Sequence, residues 1–87
     1  MMNLEQLLRK ESDSVLMDMQ LELQSEVIPA TGYAHEYVRK VNRMIDAGNL
    51  CINPTTYRRV YMPTLAKAVQ KELARRYVDH LLNTKMG

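Results

Sequence analysis

Basic and amide side chains recur at helical spacing in the middle of the chain, where they are suited to contact a nucleic acid. Arg39, Lys40 and Arg43 lie within five positions of one another, so on an α-helix they share one face. Arginine and lysine bind phosphate oxygens, arginine also pairs with guanine, and asparagine pairs with adenine. Because Asn42 flanks this stripe, we predict that Arg39, Lys40, Asn42 and Arg43 contact DNA. Basic stripes of this kind also occur on helix faces that contact only water.

A second basic element follows in the sequence "NPTTYRRVYM". Arg58 and Arg59 come directly after a turn sequence, and Thr55, Thr56 and Tyr57 carry hydroxyl groups that can donate to phosphate. If the helix entered a DNA groove, the basic hairpin that follows it could contact the adjacent phosphate backbone, so that both elements would bind DNA. We therefore predict that Thr55, Thr56, Tyr57, Arg58 and Arg59 also contact DNA. The alternative is an edge strand whose charges only prevent aggregation.

The residue types that most enzymes and metal sites need are scarce in this chain. There are two histidines, His35 and His80, and one cysteine, Cys51. No metal-ligand spacing, glycine-rich phosphate loop or nucleophile arrangement is present. We therefore predict that the protein is not an enzyme, with no catalytic residue, no metal and no cofactor.

Apolar periodicity shows which elements must position the basic residues. Residues 1–28 are predicted to form an acidic helical region. The sequence leaves open whether this region is one helix or two, because serines near residue 13 can cap a second helix. Pro29 and Gly32 predict a turn. Residues 31–48 are the candidate recognition helix, and Gly48 is predicted to end it with positive φ. The apolar positions of these helices are Leu4, Leu7, Leu8, Leu16, Met19, Leu23, Val27, Ala34, Tyr37, Val38, Val41, Met44 and Ile45.

The rest of the chain predicts a hairpin and a long helix. Residues 50–62 read as two short strands joined by a turn, that is, a wing. Pro63 suits the first position of a helix over residues 63–84, where its missing N–H costs nothing. Apolar residues in this helix repeat every four positions, and two more widen the apolar face. The repeat comprises Leu65, Val69, Leu73, Tyr77 and Leu81, and the two additional residues are Val78 and Leu82. Its basic stripe, which is either an auxiliary phosphate contact or a solvated face, comprises Lys67, Lys71, Arg75 and Arg76.

Composition and charge predict a single domain over residues 1–87 with a mainly α fold of three or four helices and a short two-stranded β-hairpin. The chain is 46% hydrophobic and 25% charged, as in folded globular proteins. No apolar run reaches the length of a membrane span, no signal-peptide pattern opens the chain, and the lone cysteine fits a reducing compartment. We therefore predict a cytoplasmic protein with no membrane partner.

Charge is divided unevenly along the chain. Residues 1–36 hold two basic and seven acidic residues, whereas residues 37–87 hold ten basic and three acidic residues. This division favours a half that faces a polyanion and a half that stays away from it. The alternative is that the two halves attract each other, either inside the fold or across a dimer.

The order of elements resembles the winged helix-turn-helix domains of phage excisionases and Cox-type repressors. The resemblance covers roughly residues 37–68 and rests on Ile45, Gly48 and Leu50 at the end of the recognition helix, and on "YRRVYMP" before the last helix. It implies a duplex-DNA-binding protein of bacterial or phage origin, either sequence-specific or architectural. The implied role is transcription regulation or assistance to recombination. Because a single short module binds DNA weakly, a homodimer through the N-terminal acidic helices or the C-terminal helix is also expected, unless the acidic helices pack on the core.

A second segment, "YMPTLAKAVQKE", is similar to part of the theta subunit of bacterial DNA polymerase III. That family is small, helical and non-catalytic, and it binds the proofreading subunit. This resemblance implies the alternative function, a non-catalytic module that binds a protein partner, such as a polymerase accessory subunit or a phage inhibitor of a host protein.

Overall fold

The computed structural model describes residues 2–51 and 59–86, with side chains as far as Thr84. Over these residues it contains four helices and two short strands. In chain order they are β1 (Met2–Asn3), α1 (Leu4–Arg9), α2 (Asp13–Gln24), α3 (Tyr33–Asp46), β2 (Leu50–Cys51) and α4 (Met62–Met86). The mainly α fold with three or four helices is thus confirmed.

The acidic N-terminal region consists of two helices, and local caps explain the break between them. Asn3 and Gln6 cap α1 reciprocally, because each side chain accepts a hydrogen bond from the other residue's backbone N–H, at 2.9 and 3.0 Å. Ser12 caps α2 by accepting a hydrogen bond from the Val15 N–H at 3.3 Å. The serine-rich segment therefore ends one helix and starts the next.

A single apolar core lies where α4 packs against α1, α2 and α3. Burying apolar side chains of this kind is the main favourable contribution to folding. Every helix contributes to the core, and β2 and the residue Val60 close one side of it. The buried apolar residues are Leu4, Leu7, Leu8, Leu16, Met19, Ala34, Tyr37, Val41, Leu50, Val60, Leu65 and Val69.

The end of α3 follows the sequence prediction. Gly48 has a φ of 77°, a conformation that glycine adopts without strain. The Gly48 N–H donates to the Ile45 carbonyl at 3.0 Å, and the Asn49 N–H donates to the Met44 carbonyl at 2.9 Å. These two bonds form a Schellman motif, which directs the chain away from α3 and places Leu50 in the core.

The predicted hairpin wing over residues 50–62 is wrong for the part that the structure describes. β2 does form, but it pairs in parallel with β1, with Leu50 opposite Met2 and Cys51 opposite Asn3. Arg59, Val60 and Tyr61 belong to no strand, and Met62 already lies in α4. The physical reason is that the Asn42 side chain hydrogen-bonds both the N–H and the carbonyl of Val60. Because these backbone groups are already satisfied, Val60 does not pair with a strand. Residues 52–58, which contain the predicted tip, lie outside the described residues.

The apolar stripe predicted for the last helix does not stay on one face. A residue four positions along an α-helix is rotated by about 40° from the first. Leu65 and Val69 are buried, Leu73 is half-buried, and Tyr77 and Leu81 are 63% and 48% exposed. All side chains from Tyr77 to Thr84 are exposed, whichever side of the helix they lie on. The first part of α4 packs on the core, and residues 77–84 project beyond it.

Across the described residues, no helix combines the length and the apolar character that a membrane crossing requires.

Candidate nucleic-acid interface

The start of α3 is fixed by a carboxylate from α2. Glu22 accepts hydrogen bonds from the backbone N–H groups of Tyr33 and Ala34, at 2.9 and 2.6 Å. A negative charge at this point also interacts favourably with the helix dipole. A Cβ atom on Gly32 would lie 2.8 Å from the Glu22 carboxylate and 3.0 Å from the Pro29 carbonyl. Glycine at this position therefore lets α2 hold α3 in place.

The basic stripe lies on the exposed side of α3, as its spacing predicts. Arg39, Lys40 and Arg43 are all exposed, whereas Ala34 and Val41 on the other side are buried. Arg39 forms an ion pair with Glu36 at 2.6 Å, and both side chains are more than half exposed, so this pair is weak. No carboxylate of the described residues pairs with Lys40 or Arg43. The face therefore presents cations that can bind an external anion.

The Tyr37 ring contacts the ammonium group of Lys40. The Lys40 Nζ atom lies 5.5 Å from the centroid of the Tyr37 ring, within the range of a cation–π contact. The Tyr37 hydroxyl donates to Glu11 at 3.2 Å, and burial raises the pKa of Tyr37 well above its usual value, with Glu11 adding to the effect. Tyr37 is therefore a neutral, fixed ring that orients the lysine.

Asn42 has a structural contact in this fold. Its amide nitrogen donates to the Val60 carbonyl at 3.1 Å, and its amide oxygen accepts from the Val60 N–H at 2.7 Å. Reading adenine requires the same two groups of the amide. We therefore remove Asn42 from the proposed DNA contacts.

The Asn42 clamp holds Val60 against α3. Val60 is hydrogen-bonded to the middle of this helix, and the adjacent Arg59 is exposed. Arg59 therefore stays a candidate contact together with Arg39, Lys40 and Arg43. The other predicted contacts in this segment, Thr55, Thr56, Tyr57 and Arg58, lie outside the described residues.

The cations of α4, by contrast, bind acidic residues within the fold. Lys71 pairs with Glu5 at 2.8 Å, and Arg75 pairs with Glu72 and Asp79 at 2.9 and 2.8 Å. Because of these contacts, the pKa values of Glu5 and Glu72 lie below their usual values: Lys71 is the main cause for Glu5, and the hydrogen bond from Arg75 for Glu72.

Arg76 is the most heavily bonded of these cations. Its guanidinium contacts Asp13 at 2.5 Å and donates to the backbone carbonyls of Leu8, Arg9 and Glu11 at 2.7 to 3.3 Å. It therefore satisfies carbonyls at the end of α1 while also holding the start of α2. Lys71, Arg75 and Arg76 serve the fold, which leaves Lys67 as the member of the predicted α4 stripe without a carboxylate partner among the described side chains.

These contacts bear on the uneven division of charge along the chain. Ion pairs from Glu5 to Lys71 and from Asp13 to Arg76 join the acidic first part to the basic second part. Internal attraction thus accounts for Lys71 and Arg76 of α4, whereas Lys40 and Arg43 of α3 have no carboxylate partner among the described residues.

The geometry also limits how a duplex can lie on α3. Glu22 occupies the N-terminus of the helix, and Glu36 is one turn further on. The connection from α2 to α3 spans residues 25–32, longer than the three or four residues of a helix-turn-helix turn. The middle and the end of α3, rather than its N-terminus, therefore form the surface suited to a polyanion.

Sequence reasoning missed an exposed aromatic residue at the N-terminal end of the same side of α3. Tyr33 is 46% exposed, and its ring centroid lies 6.3 Å from that of Tyr37. Tyr33 is seven positions before Lys40, so helical spacing alone could have placed it beside the stripe.

Among the described residues, no three His, Cys, Asp or Glu side chains lie close enough together to hold a metal ion.

Comparison of the chain with protein-family models, with curated proteins and with solved structures finds no match in any of the three.

Proposed function

We propose that the protein binds duplex DNA through the middle of α3 and Arg59, without catalysing a reaction. The single observation that carries the proposal is the exposed face of α3 that Arg39, Lys40 and Arg43 share, with no carboxylate partner for Lys40 or Arg43 among the described residues. A cluster of exposed cations on a rigid helix is the pattern that a phosphate backbone recognises.

The contacts fall into two kinds. Lys40, held over Tyr37, provides a compact charge at a fixed position, which suits a phosphate group. Arg39 and Arg43 are four positions apart on the exposed side and carry guanidinium groups that can bind phosphate or fork onto guanine. Arg39 would exchange its weak pair with Glu36 for a phosphate. A role in transcription regulation or in recombination follows from the resemblance described above and is part of the proposal.

A matched pair of substitutions tests the proposal. Arg43→Gln and Lys67→Gln each remove one exposed positive charge that has no carboxylate partner among the described residues, but Lys67 lies on α4, outside the proposed surface. We expect Arg43→Gln to weaken binding of a labelled duplex by about tenfold at low salt, and Lys67→Gln to weaken it by less than about twofold. Fluorescence anisotropy measures both affinities.

Two results would contradict the proposal. One is that the unsubstituted protein does not bind duplex DNA at low salt. The other is that the two variants lose affinity equally, since this would mean that only the net charge of the protein matters. Circular dichroism of both variants confirms that they remain folded.

The non-catalytic protein-binding function is favoured by a different observation, the exposed apolar end of α4. This surface lies on another helix and does not compete with α3 for DNA.

A further inference from the structure

Tyr33 presents an open aromatic ring at the N-terminal end of the exposed side of α3. The residue is 46% exposed, although contacts on two sides set its position. The Glu22 carboxylate accepts a hydrogen bond from the Tyr33 N–H at 2.9 Å. The Tyr33 ring lies near the buried Tyr37 ring, with centroids 6.3 Å apart and planes tilted by 34°, which is within the range of a favourable aromatic pair.

A hollow in the surface joins this ring to two cations of the basic stripe. It has a volume of about 170 Å³ and is lined by Tyr33, Glu36, Tyr37, Lys40 and Arg43. Pockets for drug-sized ligands measure about 300 to 1,000 Å³, so this hollow has room for a flat ring but not for a whole ligand of that size. The hollow combines an aromatic wall with positive charge.

The charges along α3 decide which part of a nucleotide suits each end of the hollow. At the Tyr33 end, Glu22 already occupies the helix N-terminus, and the exposed Glu36 has only a weak surface ion pair. These carboxylates repel a phosphate but not a neutral base. At the other end, Lys40 and Arg43 have no carboxylate partner among the described residues. The charges therefore favour a base at Tyr33 and phosphates at Lys40 and Arg43.

The spacing along the helix suits this division. Lys40 and Arg43 follow Tyr33 by seven and ten positions, which correspond to about 10 and about 15 Å along the helix axis. One strand that runs along α3 can therefore place a base on Tyr33 and its next phosphates on the two cations. Inside a duplex, neighbouring base pairs cover both faces of each base, so a tyrosine ring can stack only on a base that has left the stack.

We propose that the hollow on α3 takes an unpaired base, so that the DNA this protein prefers has a single-stranded segment next to a duplex. Tyr33 stacks on the base, and Lys40 and Arg43 bind phosphates of the same strand. The inference rests on the proposed function, because it names the kind of DNA that the same surface binds. Every base has a π face, so the preference is for unpaired structure and not for a sequence at this position.

A forked duplex tests the proposal. One labelled duplex ends in short unpaired arms of thymidines, and a second ends in arms of the same length built from abasic units, which keep the phosphates but lack the bases. We expect the unsubstituted protein to bind the thymidine fork at least about fivefold more tightly than the abasic fork, because of stacking on one base. Fluorescence anisotropy at one low salt concentration measures both affinities.

Three substitutions assign this preference to Tyr33. Tyr33→Leu keeps an apolar side chain but removes the ring, and it should reduce the ratio of the two affinities to less than about twofold. Tyr33→Phe keeps the ring and should retain the ratio of the unsubstituted protein. Tyr77→Leu is the matched control, because it removes an exposed tyrosine from α4, and it should also retain the ratio. Circular dichroism checks that each variant is folded.

Photocrosslinking locates the base in the unsubstituted protein. Iodouracil in an unpaired arm of the fork forms a bond on irradiation with an aromatic ring that stacks on it. We expect mass spectrometry of the linked peptide to identify Tyr33. Crosslinks confined to other tyrosines would overturn the proposal.

The outcomes separate this inference from the proposed function. Equal affinity for the two forks, or a ratio that Tyr33→Leu does not reduce, overturns the inference. In that case, binding of a fully paired duplex that Arg43→Gln weakens still supports the proposed function. Failure to bind the paired duplex and both forks overturns the two together.

Discussion

At the scale of single residues, two polar side chains that helical spacing predicts to be exposed have structural roles inside the fold. Asn42 stands next to the basic stripe and pairs with the backbone of Val60. Arg76 belongs to a basic stripe and joins α1, α2 and α4. Neither role could be predicted from the sequence, because helical spacing gives the side of a helix but not the distant segment that packs there.

Asn42→Ala should destabilise the fold by about 2 to 4 kcal/mol, because it leaves the backbone N–H and carbonyl of the buried Val60 without partners. Urea denaturation at neutral pH measures the change in the free energy of unfolding. Asn49→Ala is the control, since this asparagine is exposed, and it should cost less than about 0.5 kcal/mol. Equal stability of the two variants would contradict the clamp.

Glu72 should make stability depend on pH in the acidic range. The hydrogen bond from Arg75 lowers the pKa of this carboxyl in the folded state, so its contribution is complete above the unfolded pKa of about 4.3 and is lost as pH falls through the lower folded value. Urea midpoints between about pH 6 and pH 3 should therefore fall less in Glu72→Gln than in the unsubstituted protein. Glu26→Gln is the exposed control and should follow the unsubstituted protein. Identical pH profiles of all three proteins would rule out this role for Glu72.

At the scale of elements, local signals in the sequence determined the helices well. Gly48 was predicted to end α3 and does so with φ of 77°, and α4 begins at Met62, one residue before the predicted start at Pro63. Pairing of β1 with β2 joins residues about 50 positions apart, and no local pattern contains that information. The drift of the apolar repeat around α4 could have been predicted, because a residue four positions along a helix is rotated by about 40°, whereas the point at which α4 leaves the core could not.

The contact of α2 with α3 provides a test at this scale. Gly32→Ala should destabilise the fold by about 1 to 2 kcal/mol, because the new methyl group would displace the Glu22 carboxylate from the N-terminus of α3. In a Glu22→Ala background the carboxylate is already absent, so the same substitution should cost less. A double-mutant cycle by urea denaturation measures the difference. Strict additivity of the two substitutions would show that Gly32 and Glu22 act independently.

At the scale of the whole molecule, the fold separates two surfaces. Glu5 and Asp13 from the first part of the chain bind Lys71 and Arg76 of α4, and the cations of α3 stay exposed. The exposed apolar residues Tyr77, Val78, Leu81 and Leu82 lie at the far end of the longest helix.

The salt dependence of DNA binding tests the central claim most directly. Each cation that neutralises a phosphate releases counterions, so the logarithm of the binding constant should fall against the logarithm of the salt concentration with a slope of roughly −3 to −4 for the four proposed cations. The triple variant Arg39→Gln, Lys40→Gln, Arg43→Gln should reduce the magnitude of that slope by about 2 to 3. An absent slope, or the same slope in the triple variant, would contradict the assignment of DNA binding to α3.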